Sequence, residues 1–324
     1  MTSALLALAL TALPQGRADY RMELGGELVG RVTVEVRCQG ATCTVHWESL
    51  QRLPAEAGGG MLERRVVLGV DAEGRAHGPV RIREGGAARQ VVLPAGAVPA
   101  LLVEPILAAR LALAPEACVD AADESSGAPL RACGRRDGAR LRIDLGGEPE
   151  RVRPGADGFA DEVELPGQRA RFVRDRRAAV PERPPRLFGV EVDGPEEPGR
   201  AERFCGVARD RPAPGAPATL PAPRAEGASC REQTAAWLAL ARAAGWRGRT
   251  AVGVAWSGAA WAWHAWAEVR VGEAWVPVDP SFGQSPARSP RFTLAAWEDG
   301  DEPARAEAGR RILGCWGRSR VEPR

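Results

Sequence analysis

Over most of the first half of the chain, apolar and polar residues alternate with period two. The runs ELVGRVTVEVRC (27–38), CTVHWESL (43–50), RRVVLGVDAEG (64–74), ARLRIDLGG (139–147) and DEVELPGQRARFV (161–173) are separated by Gly, Pro and Asp. That pattern predicts strands of an antiparallel sheet with one face buried. A single helical stretch, VPALLVEPILAARLAL (98–113), interrupts it. Residues 174–224 are rich in Pro and Arg and read as linker or loop with a solvated basic face. The period then changes: Thr234, Trp237, Leu238 and Ala241 follow Cys230 at i+4, i+7, i+8 and i+11, one face of a helix. Ser229 with Glu232 three residues on forms a capping-box signature, which makes Ser229 the N-cap and Cys230 the first helical residue. Gly245 is a natural C-terminal stop.

Three strands follow that helix. RTAVGVAW (249–256) alternates and ends at the turn SGAA, and residues 261–284 read as two strands joined at Gly272-Glu273. A two-residue turn there sets Val271 opposite Ala274, Glu268 opposite Pro277 and Trp266 opposite Asp279. His264 then shares a face with Asp279 as its diagonal neighbour, within side-chain reach. A three-residue turn would put the two on opposite faces.

At 324 residues the chain has room for two domains of ordinary size. The expected organisation is residues 1–18 as an export signal, 19–190 as a β-rich domain, 191–224 as linker and entry segment, and 225–318 as an α+β domain. The 44 basic residues nearly cancel the 42 acidic ones, which argues against a nucleic-acid partner. An apolar run from Ala4 to Leu13 precedes the small residues Gly16 and Ala18, as in a signal peptide cleaved after Ala18, and a buried terminal helix is the alternative. The run is shorter than the roughly 20 residues needed to span a bilayer, and no stable membrane span is expected.

The seven cysteines fit a periplasmic or secreted protein. Cys38 and Cys43 flank a turn between two β runs, Cys118 and Cys133 flank a polar loop, and Cys205 with Cys315 would bracket the C-terminal domain. Six cysteines permit 15 pairings; the one expected here rests on local spacing and would leave Cys230 alone.

A Cys at a helix start, a His on a strand and an Asp at the end of the next strand are a nucleophile, a base and a group that orients the base. A thiolate attacks a carbonyl carbon, imidazole carries the proton near neutral pH, and the carboxylate fixes its tautomer. Free N–H groups at a helix N-terminus favour a thiolate, while apolar burial opposes it. Read from the residues alone, Cys230, His264 and Asp279 are equally accounted for as unrelated members of a packed core. Trp261, Trp263 and Trp266 read as core rather than a substrate groove, and the acidic loop WEDGDEP (297–303) as a solvated turn rather than a calcium site. His46 and His77 stand alone and carry no assigned chemistry. No cofactor and no metal is expected.

The segments LPAPRAEGASCREQTAAWLALARAAGWRGRTAVGVAW and HAWAEVRVGEAWVPVDPSFGQSP resemble the core of the bacterial transglutaminase-like family. The resemblance implies a papain-like fold with a Cys-His-Asp triad at Cys230, His264 and Asp279, and it sets Arg249 at an Arg of the helix-to-strand connection. It covers about residues 220–297 and says little about the first 190. Many relatives carry Gly-Asp before the Cys and Glu-His after it, where this chain has Ala228-Ser229 and Glu232-Gln233. Animal members use an upstream Trp as an oxyanion donor, but here Trp47, in the other domain, is the one Trp before Cys230. The N–H of Cys230 is then one donor, with the second unassigned. The implied activity is acyl transfer on a protein or peptide substrate, either as a peptidase or amidase or as a cross-linking transglutaminase. A non-catalytic envelope scaffold or binding module is the alternative, and the oligomeric state is open.

Overall fold

The computed structural model describes residues 13–53, 60–84, 86–145, 149–166, 169–185, 191–211, 220–222, 229–316 and 320–323. The chain divides into two compact units, residues 1–52 with 61–184, and residues 53–60 with 185–324. It is mostly β-sheet, with few helices.

The first unit is built on strands Gly16–Leu24 (β1), Glu27–Gln39 (β2), Thr42–Arg52 (β3), Met61–Asp71 (β4), Ala76–Glu84 (β5), Ala87–Val91 (β6) and Val98–Pro99 (β7). After helix Val103–Leu111 (α1) come Glu116–Ala122 (β8), Pro129–Asp137 (β9), Arg140–Asp144 (β10), Glu150–Pro154 (β11), Ala160–Leu165 (β12) and Ala170–Arg174 (β13). They form one sheet in the order β6-β5-β4-β3-β2-β1-β13-β12-β11-β10-β9-β8-β7, two meanders joined where β1 pairs β13. The period-two pattern is realised directly. Tyr20, Val32, Val36, Val45, Val66, Leu68, Ile143, Val152 and Val163 point to one face and share a core with Ile106, Leu107 and Leu111 of α1. The expected helix is shorter than its apolar run, because Val98–Pro99 pairs as a strand and Ala100–Leu102 is a 3₁₀ turn. Ala18 and Leu13 are buried in this core and β1 begins at Gly16, so cleavage after Ala18 would take three residues from the strand. Residues 1–12, the start of the expected signal, lie outside the described residues.

The second unit comprises Glu191–Val192 (β14), Ala201–Phe204 (β15), Val207–Ala208 (β16), helix Cys230–Ala243 (α2), Gly248–Trp256 (β17), Trp261–Val271 (β18), Ala274–Val278 (β19), Arg291–Trp297 (β20), helix Glu302–Trp316 (α3) and Val321–Pro323 (β21). One sheet runs β14-β18-β17-β20 with β19 also on β18, and a second runs β16-β15-β21. Residues 191–208, read as linker, therefore contain three short strands. Each is only two to four residues long; β14 and β15 are held by distant partners, β18 and β21, that no local pattern announces, and β16 pairs back on β15. The Pro-rich residues 212–219 lie outside the described residues.

The helical stripe of α2 packs Trp237, Leu238 and Ala241 against Ala267 and Val269 of β18 and Val276 and Val278 of β19. Each fully buried apolar side chain of Val or Leu size contributes about 1.5–3 kcal/mol, so this seam fixes the helix on the hairpin. Trp261 and Trp263 are buried beside Phe292 and Phe204, which makes them core. All three expected disulfides are present: Cys38–Cys43 across β2 and β3, Cys118–Cys133 across β8 and β9, and Cys205–Cys315. Cys230 is the free cysteine. Among the described residues no helix is long and apolar enough to cross a membrane.

Candidate active site

Cys230 opens α2 because Ser229 caps it. The Ser229 side chain accepts from the Glu232 N–H at 3.3 Å, and the Glu232 carboxylate accepts from the Ser229 N–H at 3.1 Å. Both halves of the capping box are thus made. At the other end Gly245 takes φ +84°, with Gly245 N–H bonded to Arg242 O and Trp246 N–H to Ala241 O, a Schellman motif. Thr234, one turn after the cysteine and buried, donates to Ala265 O at 3.3 Å and ties that turn to β18. Capping sets where the helix starts, and packing sets where the thiol stands.

His264 lies on β18 opposite Gly253 of β17. A Cβ at Gly253 would lie 1.8 Å from Phe292 O of β20, so only glycine fits there. The turn between β18 and β19 has two residues, with Val271 paired to Ala274, Glu268 to Pro277 and Ala267 to Val278. That even register puts the two candidate side chains on one face: His264 Nε2 donates to Asp279 Oδ2 at 2.9 Å. His264 is 6% exposed and Asp279 is 0% exposed, so water competes little for this bond.

Electrostatics follow from the arrangement. Burial lowers the basicity of the imidazole, yet the bond to Asp279 and the adjacent Cys230 sulfur outweigh it and raise the His264 pKa to about 9. For Asp279 burial alone would raise the pKa. His264, Arg291 and Ser281 reverse that and hold the carboxyl below its usual range. Nε2 is engaged by Asp279, and the Cys230 sulfur is a further hydrogen-bond partner of the imidazole.

Three neighbours were not marked by the sequence. Ser281 Oγ donates to Asp279 Oδ1 at 2.8 Å and lies 3.2 Å from His264 Nε2, while the Phe282 N–H also donates to Oδ1. The Phe282 ring stacks on the imidazole at 4.4 Å and 8°. Arg291 is 3% exposed, with Nη1 3.8 Å from Asp279 Oδ2 and its guanidinium 5.0 Å over the Trp266 ring. Its Nε donates to Ser289 O. The run Asp-Pro-Ser, with a hydroxyl two residues after a carboxylate, is a turn signal that could have pointed to Ser281. Arg291 had none, because a lone Arg in Ser-Pro-Arg-Phe reads as solvated.

The remaining expectations fall into structural roles. Arg249 pairs with Glu268 at 2.6 Å and stacks 4.1 Å over Trp275. In the acidic loop, Glu298 pairs with Arg247, Asp299 with Arg242, and Asp301 accepts from the Ala304 N–H at the start of α3. These three carboxylates are thus engaged by arginines and a helix end. Trp266 is core by burial, yet its ring stands 6.2 Å from the imidazole.

Residues 208–280 match the family model of the transglutaminase-like superfamily. The matched segment contains Cys230, His264 and Asp279. No curated protein matches the chain. A crystal structure of a DUF1089 family protein from Pseudomonas aeruginosa aligns over 46% of this chain and 89% of that one, at 11% identity and a TM-score of 0.29. A likeness that distant carries no argument about fold or function.

Proposed function

We propose that the second unit is an exported, papain-like cysteine enzyme that transfers an acyl group from an amide through a thioester on Cys230. The observation that carries the reading is the buried His264–Asp279 bond beside the only unpaired cysteine, at the start of a capped helix. The superfamily match over 208–280 supports it.

The steps use this chain's own groups. The Cys230 thiolate attacks the amide carbonyl carbon, and the resulting oxyanion is met by the Cys230 backbone N–H, which at the first helical position has no intrahelical acceptor. Imidazolium His264 gives its proton to the departing nitrogen as the C–N bond breaks, and the thioester forms. Water or a primary amine then gives a proton to His264 and attacks the thioester, releasing acid or a new amide and restoring the thiolate. Asp279 keeps the imidazole in one tautomer and offsets its charge throughout. A His264 pKa of about 9 means the acid form is available at neutral pH. Acylation is therefore expected to slow above about pH 9.

The test is mass spectrometry of envelope peptides incubated with the wild type and with Cys230→Ala. Hydrolysis products or cross-links that depend on Cys230 support the reading and tell the acceptor apart. If neither forms with the wild type, the enzyme reading is lost in favour of a scaffold that retains the fold. Export, supported by three disulfides, is checked by the N-terminal sequence of protein recovered from the periplasm or medium, which also locates any cleavage relative to β1.

A further inference from the structure

A cavity of about 140 Å³ lies inside the first unit, between the inner sheet face and the start of α1. Its walls are apolar and aromatic, including Tyr20, Val34, Trp47, Phe159 and Phe172, and Glu104 of α1 supplies a carboxyl group. Apolar cavities of about 150 Å³ accept a benzene-sized guest. Val34, Trp47 and Phe172 are only part-buried, which leaves the cavity open to solvent.

Glu104 does not stand alone. It shares a hydrogen bond with Glu150 of β11, whose place two residues before the buried Val152 turns it to the same inner face. Glu150 Oε2 is buried and has no hydrogen-bond partner among the described residues. No arginine among the described residues is set against either carboxyl, although the chain carries 44 basic residues. Glu162, by contrast, is ringed by Arg140, Arg153 and Arg171. Burial, and for Glu104 also the adjacent Glu150, raises the pair to about 8 and about 7. The facing titratable group from the sheet is Tyr20 of β1, itself near Arg174, Asp157 and Asp161 and pushed up by burial. The apolar room thus carries on its wall one carboxyl of a buried acidic pair.

We propose that this cavity binds a small amphiphilic cation: a ring or branched apolar group seated among Tyr20, Val34, Trp47, Phe159 and Phe172, carrying a primary ammonium bonded to Glu104. In the empty pair Glu150 ionises first, with Glu104 protonated and bonded to it; an ammonium at Glu104, the member that lines the cavity, draws the pair's single negative charge to Glu104 and leaves the remaining proton on Glu150. Aromatic walls add cation–π attraction. Below pH 7 binding must displace a proton from the pair, so affinity falls by up to about tenfold per pH unit. Above about pH 8 it levels off.

Isothermal titration of the full chain with 2-phenylethylamine, 2-phenylethanol and 3-phenylpropanoate tests this. The amine is expected to bind, the alcohol at least tenfold more weakly and the anion not at all. Proton release should be seen below pH 7 in buffers of different ionisation enthalpy. Glu104→Gln should cost the amine at least tenfold, and Val34→Phe, which fills the room, should abolish binding with the far-UV circular dichroism unchanged. If Glu104→Gln does not fold, the wild-type comparison of amine with alcohol, and its pH dependence, still decides. Equal binding of amine and alcohol, binding of the anion, a pH-independent amine affinity or no amine binding at millimolar concentration would each overturn the proposal.

Discussion

His264 carries the electrostatic weight of the site. Its folded-state pKa of about 9 stands above the ordinary 6.5, so its contribution to stability is complete below pH 6.5 and is lost as pH rises towards 9. Thermal melts should show the wild type losing stability across that window relative to His264→Gln. Asp279→Asn removes the carboxylate but not the shape. It is expected to lower turnover by roughly 10³–10⁴-fold and to move the basic limb of the pH–rate profile below 9. Arg291 is a different case, since it touches no reacting atom and lies 3.8 Å from Asp279 in a buried pocket. Arg291→Gln leaves the buried carboxylate without its second cation and should destabilise the unit by about 3–5 kcal/mol in denaturant titrations.

At the scale of elements, the helix start and the hairpin register decide whether the three residues meet. Ser229→Ala removes the cap and should cost about 1 kcal/mol in urea unfolding. Gly253→Ala brings a methyl against the Phe292 carbonyl and should cost far more, because β17 must leave β20 beside His264. Much of this was legible in the sequence. Ser229 with Glu232 announced the cap, the i+4, i+7, i+8 and i+11 positions after Cys230 announced the buried stripe, and Gly272-Glu273 marked the turn, whose even length only the structure shows. Each is local chemistry with a fixed spacing. Strands β14 and β15, the placement of Arg291 under Asp279 and the meeting of Glu104 with Glu150 were not legible, because each depends on a partner far along the chain. The apolar run at 98–113 shows the same limit: pairing of Val98–Pro99 with β8 overrode helical propensity at its start.

Across the whole molecule, cross-links divide the cysteines into two classes. In the chain-entropy picture the stabilisation grows with the closed loop, about 2 kcal/mol for the five-residue separation of Cys38–Cys43 and about 5 kcal/mol for the 110-residue separation of Cys205–Cys315. Replacing each pair by serines should therefore lower stability in that order, read by chemical denaturation of each variant. Six cysteines in bridges leave Cys230 as the sole target of a thiol reagent in the folded chain. The rate of iodoacetamide labelling at Cys230, followed by mass spectrometry from pH 5 to 10, thus reads the thiol and imidazole together. A pair that reacts as thiolate and imidazolium keeps a high labelling rate below pH 7 and loses it in His264→Ala. A rate that rises only above about pH 8.5 and is the same in both proteins would contradict the assignment of Cys230 as an activated nucleophile.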